Sequence, residues 1–346
     1  MANMNIRTPR FYVDHINYLL SRGLAQDGEF DVTATGGSGA SASRGLQTGT
    51  EAELFDMKPL NKVDFDTSGD PDSQVLITLD TQTASKKSFV AILNHNMNSA
   101  DSQVRIAASN TEAHIQAVDM GSATAIQPTE VVNGDTINGS SPYDIAPATD
   151  GSTIVKFAES SLRYWGIQFE GDGSDEFSGT DLFIGCILLG EYYEMPHAPD
   201  LSVKRSIIFD NTKLQESVGG QRYSNMTSHG RTASTTSKSP FNTNGYAFKS
   251  YGGRLAYDLN FSYLNSTDVM PNEYHEHQVT DDAVVEDIWN KTNGNHLPFI
   301  FSIDKDSEGA DAESEHIFAR FAQNSMDMTQ VANDVFNVSM RIEEEF

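Results

Sequence analysis

The sequence predicts a mainly β protein, with an N-terminal jelly-roll sandwich over residues 51–195 and a β-rich domain with one helix over residues 196–346. Three observations predict this architecture. Short apolar or alternating segments recur between clusters of Gly, Asn, Asp and Pro, which is typical of sandwiches and jelly rolls. The segment "MPHAPDLS" (195–202) has two prolines within four residues and indicates a linker. Beyond it, one segment near 281–292 has helical periodicity.

Residues 1–50 are predicted to form an N-terminal arm and a flexible segment. In "FYVDHINYLLSRG" (11–23) the apolar residues recur near helical spacing and Gly23 follows as a C-cap, which favours a short helix. A strand followed by a turn is the alternative. The next segment, "ATGGSGASASRGLQTGT" (34–50), is rich in Gly, Ser and Thr and is predicted to be flexible or a long loop.

The strands of the predicted jelly roll are apolar or alternating. Their segments are 75–79, 88–93, 103–109, 153–158, 162–169 and 181–196. In the third, Val104, Ile106 and Ala108 share one face, as they would in a half-buried strand. The polar interval 119–152 is predicted to be a large excursion at one end of the sandwich.

The second domain has its own strand pattern. "DNTKLQESVGGQRYSN" predicts a hairpin around Gly219-Gly220. "RLAYDLNFSYL" (254–264) alternates and predicts that Leu259, Phe261 and Tyr263 lie on one face. The segments 297–303, 316–321 and 335–346 predict three further strands, of which the last has one apolar and one polar face.

The predicted helix begins with a capping residue and acidic residues in its first turn. Thr280 can cap it, and negative charge is favourable at the N-terminus of a helix. An apolar stripe, formed by Val284, Val285, Ile288 and Trp289, is predicted to be buried. Asn293-Gly294 provides the stop signal.

The charge of the chain argues against nucleic acid and membrane as partners. The 346 residues include 23 Lys or Arg and 49 Asp or Glu, a net charge of −26. Nucleic-acid binding depends on cations that neutralise phosphates, and anionic membranes attract basic segments. Cys186, the single cysteine, lies in an apolar strand and is predicted to be a small buried hydrophobe. With neither a secretory signal nor an apolar run of about 20 residues, the sequence predicts synthesis in the cytoplasm.

The sequence predicts no enzyme, because the common catalytic motifs are absent. We therefore expect no catalytic, cofactor-binding or metal-ligating residues and no cofactor. Two kinds of segment leave metal binding open. The pair His275 and His277 in "NEYHEHQ" (272–278) would share one face of a strand, although a solvated loop is the simpler interpretation. The acidic loops 64–72 and 170–181 could bind Ca²⁺.

The apolar segment "FVAIL" runs directly into Asn94-His95-Asn96. Asn is favoured in turns because its side chain bonds to the backbone and it tolerates left-handed φ. The triplet is therefore interpreted as the point where a core strand ends. Since a jelly-roll loop can meet a sugar or a neighbouring subunit, Asn94, His95 and Asn96 are also the candidate contact residues.

Two family resemblances add to these patterns. The segments "SFVAILNHNMNSADSQVRIAAS", "LRYWGIQFEGD" and "LFIGCILLGEYYEMP" resemble galactose-binding-like, discoidin-type jelly rolls found as modules in phage tail proteins. The second half resembles the β-rich domain of minor and distal tail proteins of tailed phages. Its alternating strand "RLAYDLNFSYL", the "GNHLPFIF" segment after the helix, and the final "FNVSMRIEEEF" carry that resemblance.

The resemblance implies a structural virion protein of a tailed bacteriophage that assembles as a ring in the tail or baseplate. Its expected partners are copies of itself, other tail or baseplate proteins and a host surface glycan. Two alternatives stay open: a carbohydrate-binding or receptor-binding virion module, and a capsid accessory protein. An enzyme that acts through paired carboxylates is the least favoured, since any chain with 49 acidic residues places some pair at a suitable distance.

Overall fold

The computed structural model describes residues 7–24, 30–36, 46–68, 73–116, 120–136, 142–171, 177, 179–208, 212–226, 241, 254–271, 282–309 and 312–345. Within them the chain is mainly β, as predicted. The strands of the first half are β1 (Arg10–Asp14), β2 (Phe30–Gly36), β3 (Leu46–Thr48), β4 (Val63–Phe65), β5 (Ser73–Asp80), β6 (Lys87–His95), β7 (Ser102–Ser109), β8 (Thr124–Ala125), β9 (Pro128–Val132), β10 (Gly134–Thr136), β11 (Asp144–Pro147), β12 (Gly151–Ser160), β13 (Tyr164–Gly171), β14 (Leu182–Ile184) and β15 (Cys186–Glu194).

The second half contributes eight more strands within the described ranges. These are β16 (Lys204–Ile208), β17 (Thr212–Glu216), β18 (Arg222–Met226), β19 (Arg254–Asn265), β20 (Phe299–Ser302), β21 (His316–Phe321), β22 (Met328–Ala332) and β23 (Val335–Glu344). The helices are short: α1 (His15–Ser21), α2 (Glu112–Ile115), α3 (Ser266–Val269), the 3₁₀ helices Glu51–Phe55 and Ala312–Glu315, and a π-helix, Val284–Asn290.

Two antiparallel sheets pack face to face and form the jelly-roll lobe. One carries the order β10-β11-β7-β13-β5-β2, with β8 beside β7, and the other contributes β15-β6-β12-β9. Their inner faces meet in a core that includes Val104, Ile106 and Trp165 from one sheet and Ile92 and Ile187 from the other. Because side chains alternate along a strand, the predicted inward residues of β7 are those found in the core. Cys186 is fully buried, as predicted.

Strand β1 joins the two halves of the chain into one sheet. It pairs antiparallel with β15 of the jelly roll on one side and with β20 on the other. The resulting order is β16-β19-β23-β21-β20-β1-β15-β6-β12-β9, with β22 beside β23. All five residues of β1 are buried. The expectation of an N-terminal arm was therefore wrong for Arg10–Ser21, which forms a central strand and α1, and for Phe30–Gly36, which forms β2 of the jelly roll. Residues 37–45 of the predicted flexible segment lie outside the described residues.

The C-terminal lobe, formed by β16 and β19–β23, packs its apolar face over a second core. Val338, Met340 and Ile342 of β23 point into this core, as the alternation predicts. The predicted 281–292 helix is a shorter π-helix, Val284–Asn290, whose residues Val284 and Ile288 are fully buried. Gly294 follows it with φ +69°, in keeping with the predicted stop. The predicted cap Thr280 lies outside the described residues.

A bulge in β19 corrects one predicted face. Leu259 and Phe261 are buried as expected, but Tyr263 is 76% exposed and has φ +65°. The register with β23 shifts between Phe261 and Leu264, so Leu264 takes the inward position instead. An inserted residue reverses the alternation beyond it, which a pattern of period two does not reveal.

Candidate functional site

The turn Asn94–Asn96 ends β6 inside the molecule. Asn94 has φ +53°, a left-handed conformation that Asn adopts more readily than most residues. Asn94, His95 and Asn96 are only 5%, 1% and 4% exposed. The three predicted contact residues are thus close together, but they lie in the interior.

The two asparagines tie this turn to neighbouring segments. Asn94 Nδ2 donates to the carbonyl of Pro59 at 2.7 Å. Asn96 Nδ2 donates to the carbonyl of Asp181 at 2.8 Å, and its Oδ1 accepts from the backbone N–H of Phe183 at 2.7 Å. Each side-chain amide thus forms hydrogen bonds with backbone groups of neighbouring segments that have no backbone partner in the turn.

His95 uses both ring nitrogens. Its Nδ1 accepts from the backbone N–H of Met97 at 3.2 Å, so Nε2 carries the proton and donates to Thr153 Oγ1 at 2.9 Å. Thr153 Oγ1 in turn donates to the carbonyl of Asn133 at 3.2 Å. Burial lowers the pKa of His95 to about 3, so the ring is neutral at ordinary pH. The prediction of a contact loop is corrected, because these side chains hold the turn together and are not available to a ligand.

A charged cluster lies where β1 meets the jelly roll. Arg10 donates to Glu194 at 2.7 and 3.0 Å, to Glu130 at 3.0 Å and to the hydroxyl of Tyr12 at 3.0 Å. Lys156 also pairs with Glu130. The side chain of Arg10 is 3% exposed, whereas the two glutamates retain about a third of their exposure. Removing the Arg10 cation would therefore leave the two carboxylates to Lys156 and Lys305 alone.

Ser85, His15 and Lys87 meet beside helix α1. Ser85 Oγ accepts from Lys87 Nζ at 2.9 Å and lies 2.9 Å from His15 Nε2. These residue types occur in nucleophilic catalysis. However, Lys87 has no exposed surface, and its Nζ also donates to the carbonyl of Ser85 at 3.0 Å. Burial lowers the pKa of Lys87 to about 7. We assign this cluster to packing between α1 and β6.

A shallow pocket opens on the outer face of the jelly roll, beside β7. It has a volume of about 300 Å³ and is lined by Arg105, Ala107, Met120, Gly121, Ala123, Ala125 and Tyr143. Arg105 forms a bidentate ion pair with Asp144 at 2.6 and 2.9 Å. The pocket thus combines a planar cation, an aromatic ring and small apolar residues.

A buried amide adjoins this pocket. Gln168 pairs with Arg105 in the register of β13 and β7 and is 1% exposed. Its Oε1 has no hydrogen-bond partner among the described residues. Gln168 does not line the pocket, so its acceptor lies in the sheet beside Arg105 and not on the pocket surface.

The hairpin of β17 and β18 projects from the C-terminal lobe. Its register pairs Glu216 with Arg222, and Gly220 has φ +80°, which confirms the hairpin predicted around Gly219-Gly220. Leu214 and Tyr223 are 70% and 58% exposed. Within the described residues the two strands pair only with each other. The sequence predicted the turn but gave no sign that both faces of the hairpin are exposed.

Metal binding stays a prediction. Among the described residues, no group of three or more His, Cys, Asp or Glu is placed to hold a metal ion. The segment 272–278 lies outside these residues, as do parts of both acidic loops. In the second loop, Asp181 Oδ1 accepts from the backbone N–H groups of Thr67 and Ser68 at 3.2 and 2.9 Å. The described helices include none that is both long and apolar enough to span a bilayer.

Comparisons with known proteins show similarity to solved structures only. No family model and no curated protein matches the chain. A chitosan-binding module from a chitosanase/glucanase of Paenibacillus sp. IK-5 is 12% identical, with a TM-score of 0.30 over 46% of this chain and 94% of that one. The CBM32-1 module of a family 31 glycoside hydrolase from Clostridium perfringens is 13% identical, with a TM-score of 0.29 and the same coverage.

A truncated AlyQ with CBM32 and alginate lyase domains is also similar. It is 12% identical, with a TM-score of 0.28 over 70% of this chain and 61% of that one. These structures are carbohydrate-binding modules or contain one.

Proposed function

We propose that the chain is a structural assembly subunit, which binds copies of itself in the tail or baseplate of a tailed phage. The hairpin β17–β18 is the observation that carries this proposal. Its described side chains are exposed or half-buried, and the two strands form a separate sheet. The phage setting rests on the sequence resemblance of the second half.

An exposed two-stranded hairpin favours a partner on physical grounds. Such hairpins are marginally stable in water without a third strand or a surface to pack against. Leu214 and Tyr223 would each bury apolar area at an interface, at about 25 cal/mol per Å². In an ordered particle, each neighbouring copy of the subunit supplies such a surface.

The shared sheet also suits a subunit of a large particle. Because β1 pairs with both lobes, the jelly roll is attached through backbone hydrogen bonds as well as through a connecting peptide. Such a connection holds the jelly roll at a fixed position. A fixed position is what a repeated subunit needs when many copies must make identical contacts.

Two measurements test the proposal. Light scattering of the purified full chain should detect an oligomer of one defined size. The fraction of chains in that oligomer should increase as the protein concentration rises. Mass spectrometry of purified particles should detect the chain as a stoichiometric component. A chain that stays monomeric at high concentration and is absent from the particles would overturn the proposal.

Carbohydrate binding by the jelly-roll lobe is a second candidate function, favoured by the pocket at Tyr143 and Arg105. Aromatic rings such as that of Tyr143 stack on apolar faces of ligands, and Arg105 can bind polar groups.

A glycan array tests this second function. Tyr143→Ala should weaken glycan binding by about fivefold or more, since one lost stacking contact is worth about 1 kcal/mol and the pocket loses its shape. Tyr263→Ala is the matched control, because Tyr263 is 76% exposed in the other lobe. Equal binding by both variants, or no glycan bound by the unmodified chain, would exclude this pocket as a sugar site.

A further inference from the structure

Positive charge is concentrated in one segment of this acidic chain. Residues 204–254 contain eight Lys or Arg and two Asp or Glu. The other 295 residues contain 15 Lys or Arg and 47 Asp or Glu. We call this segment the basic arm. It begins with β16, includes the β17–β18 hairpin and ends at the start of β19. An arm of opposite charge to the rest of the chain is suited to bind another copy.

An exposed edge strand in the C-terminal lobe has the complementary character. All five residues of β22 are exposed, and among the described residues it pairs only with β23. Val331 is 47% exposed. The exposed acidic residues Asp327 and Asp334 lie at its two ends. The free backbone N–H and C=O groups of such an edge are a template for another strand.

We infer that the hairpin of the basic arm docks on the β22 edge of a neighbouring copy and extends its sheet. This inference rests on the proposed assembly function and names its contact. The strands β17, β18 and β22 have five residues each. Lys213 and Arg222 would meet Asp327 and Asp334, and Leu214 would pack near Val331.

Among the described residues the hairpin pairs with no strand of its own lobe, and the acidic residues at both ends of β22 favour a second copy as its partner. A contact between two different surfaces of identical copies is head-to-tail, and it forms a ring when the rotation closes. Although each copy has a net charge of −26, charges separated by more than about 8 Å are largely screened at physiological salt. Salt therefore weakens the overall repulsion more than it weakens the close contacts between arm and edge.

Charge reversal at the edge is the decisive test. Asp327→Lys with Asp334→Lys makes the chain less negative, which by itself would promote association. We nevertheless expect this variant to associate at least about tenfold more weakly, because the arm loses both partners. Glu112→Lys with Asp135→Lys is the control, since both are exposed in the jelly-roll lobe and the net charge changes equally. This control should associate as well as the unmodified chain or better.

A rescue variant makes the test specific. Lys213→Glu with Arg222→Glu should also dissociate the oligomer, and adding the two edge substitutions to the same chain should restore it. Sedimentation velocity measures association, and circular dichroism checks that each variant is folded. Restoration would establish the contact independently of any effect on net charge.

Cysteine crosslinking gives a second measurement. When a Leu214→Cys chain and a Val331→Cys chain are mixed and mildly oxidised, a covalent dimer should form, and neither alone should give it in comparable yield. Cys186 is fully buried and should not react. If edge reversal behaves like its control while the unmodified chain still forms oligomers, this inference is wrong and the assembly proposal stands. A strictly monomeric unmodified chain would overturn both.

Discussion

Arg10 and Glu194 lie directly opposite each other on β1 and β15, with guanidinium and carboxylate 2.7 Å apart. This ion pair is at the place where the two lobes become one sheet. Arg10 is nearly inaccessible to water, so its positive charge is stabilised by Glu194, Glu130 and the hydroxyl of Tyr12. The stability of the join should therefore respond strongly to Arg10.

Arg10→Met should lower the free energy of unfolding by about 2–4 kcal/mol, because it removes the buried cation that bridges two partly buried carboxylates. Urea unfolding measures the change. Arg7→Met is the control, since Arg7 is 45% exposed and lies 3.6 Å from Asp304, and exposed pairs contribute at most about 1 kcal/mol. Equal losses in the two variants would contradict the role given to Arg10.

Gly190→Ala should separate β1 from β15. A Cβ at Gly190 would lie 1.9 Å from the carbonyl oxygen of Val13, so one strand must move. We expect a loss of about 3 kcal/mol or more in the free energy of unfolding. Gly179→Ala is the control, because no atom lies within 4 Å of its added Cβ. Similar melting temperatures for the two variants would show that β1 is not held against β15 as described.

Lys87→Met should flatten the pH dependence of stability. Burial lowers the pKa of Lys87 to about 7, below the ordinary value of 10.5. Between these values the unfolded chain binds the proton and the folded chain does not, so stability rises with pH in this window. The free energy of unfolding should rise by roughly 1–2 kcal/mol from pH 7 to pH 9 in the unmodified chain.

The variant should lose that rise and be more stable at pH 7. Lys86→Met is the control, because Lys86 is more exposed and pairs with Glu159 and Asp282. Chemical unfolding at both pH values compares the three proteins. An unchanged slope in Lys87→Met would refute the burial effect on Lys87.

His95→Ala should destabilise the folded chain without altering its association with other copies. The substitution leaves the backbone N–H of Met97 without its acceptor, removes the donor to the hydroxyl of Thr153 and opens a cavity, which should cost about 2–3 kcal/mol. Association of the folded protein should be unchanged below its melting temperature. A normal melting temperature combined with lost association would restore His95 as a contact residue.

The alternation of apolar residues was enough to predict the long central strands and much of both cores, but not β1, β2, β9–β11, β16 or β22. Ile106, Trp165 and Ile342 are buried where the period of two places them. It failed where the backbone departs from that period, as at Tyr263, or where pairing is distant in sequence. The segment "RFYVD" gives no sign that it pairs with residues near 194 and 302 at once.

The candidate site could be predicted only in part. The turn at Asn94 followed from residue preference, but its burial depends on Pro59, Thr153 and Phe183, which are distant in the chain. The pocket beside Tyr143 likewise combines three separate segments. The exposure of the hairpin depends on the tertiary structure, because the segment "TKLQESVGGQRYSNM" alone does not indicate which other segments lie next to it.

Electron cryomicroscopy of particles that contain this chain tests the central claim most directly. The account predicts a closed ring of identical two-lobed subunits in the tail or baseplate, with density from each β17–β18 hairpin continuous with the β22 edge of the next copy. Particles in which the chain is absent, or present as isolated copies that do not touch each other, would contradict it.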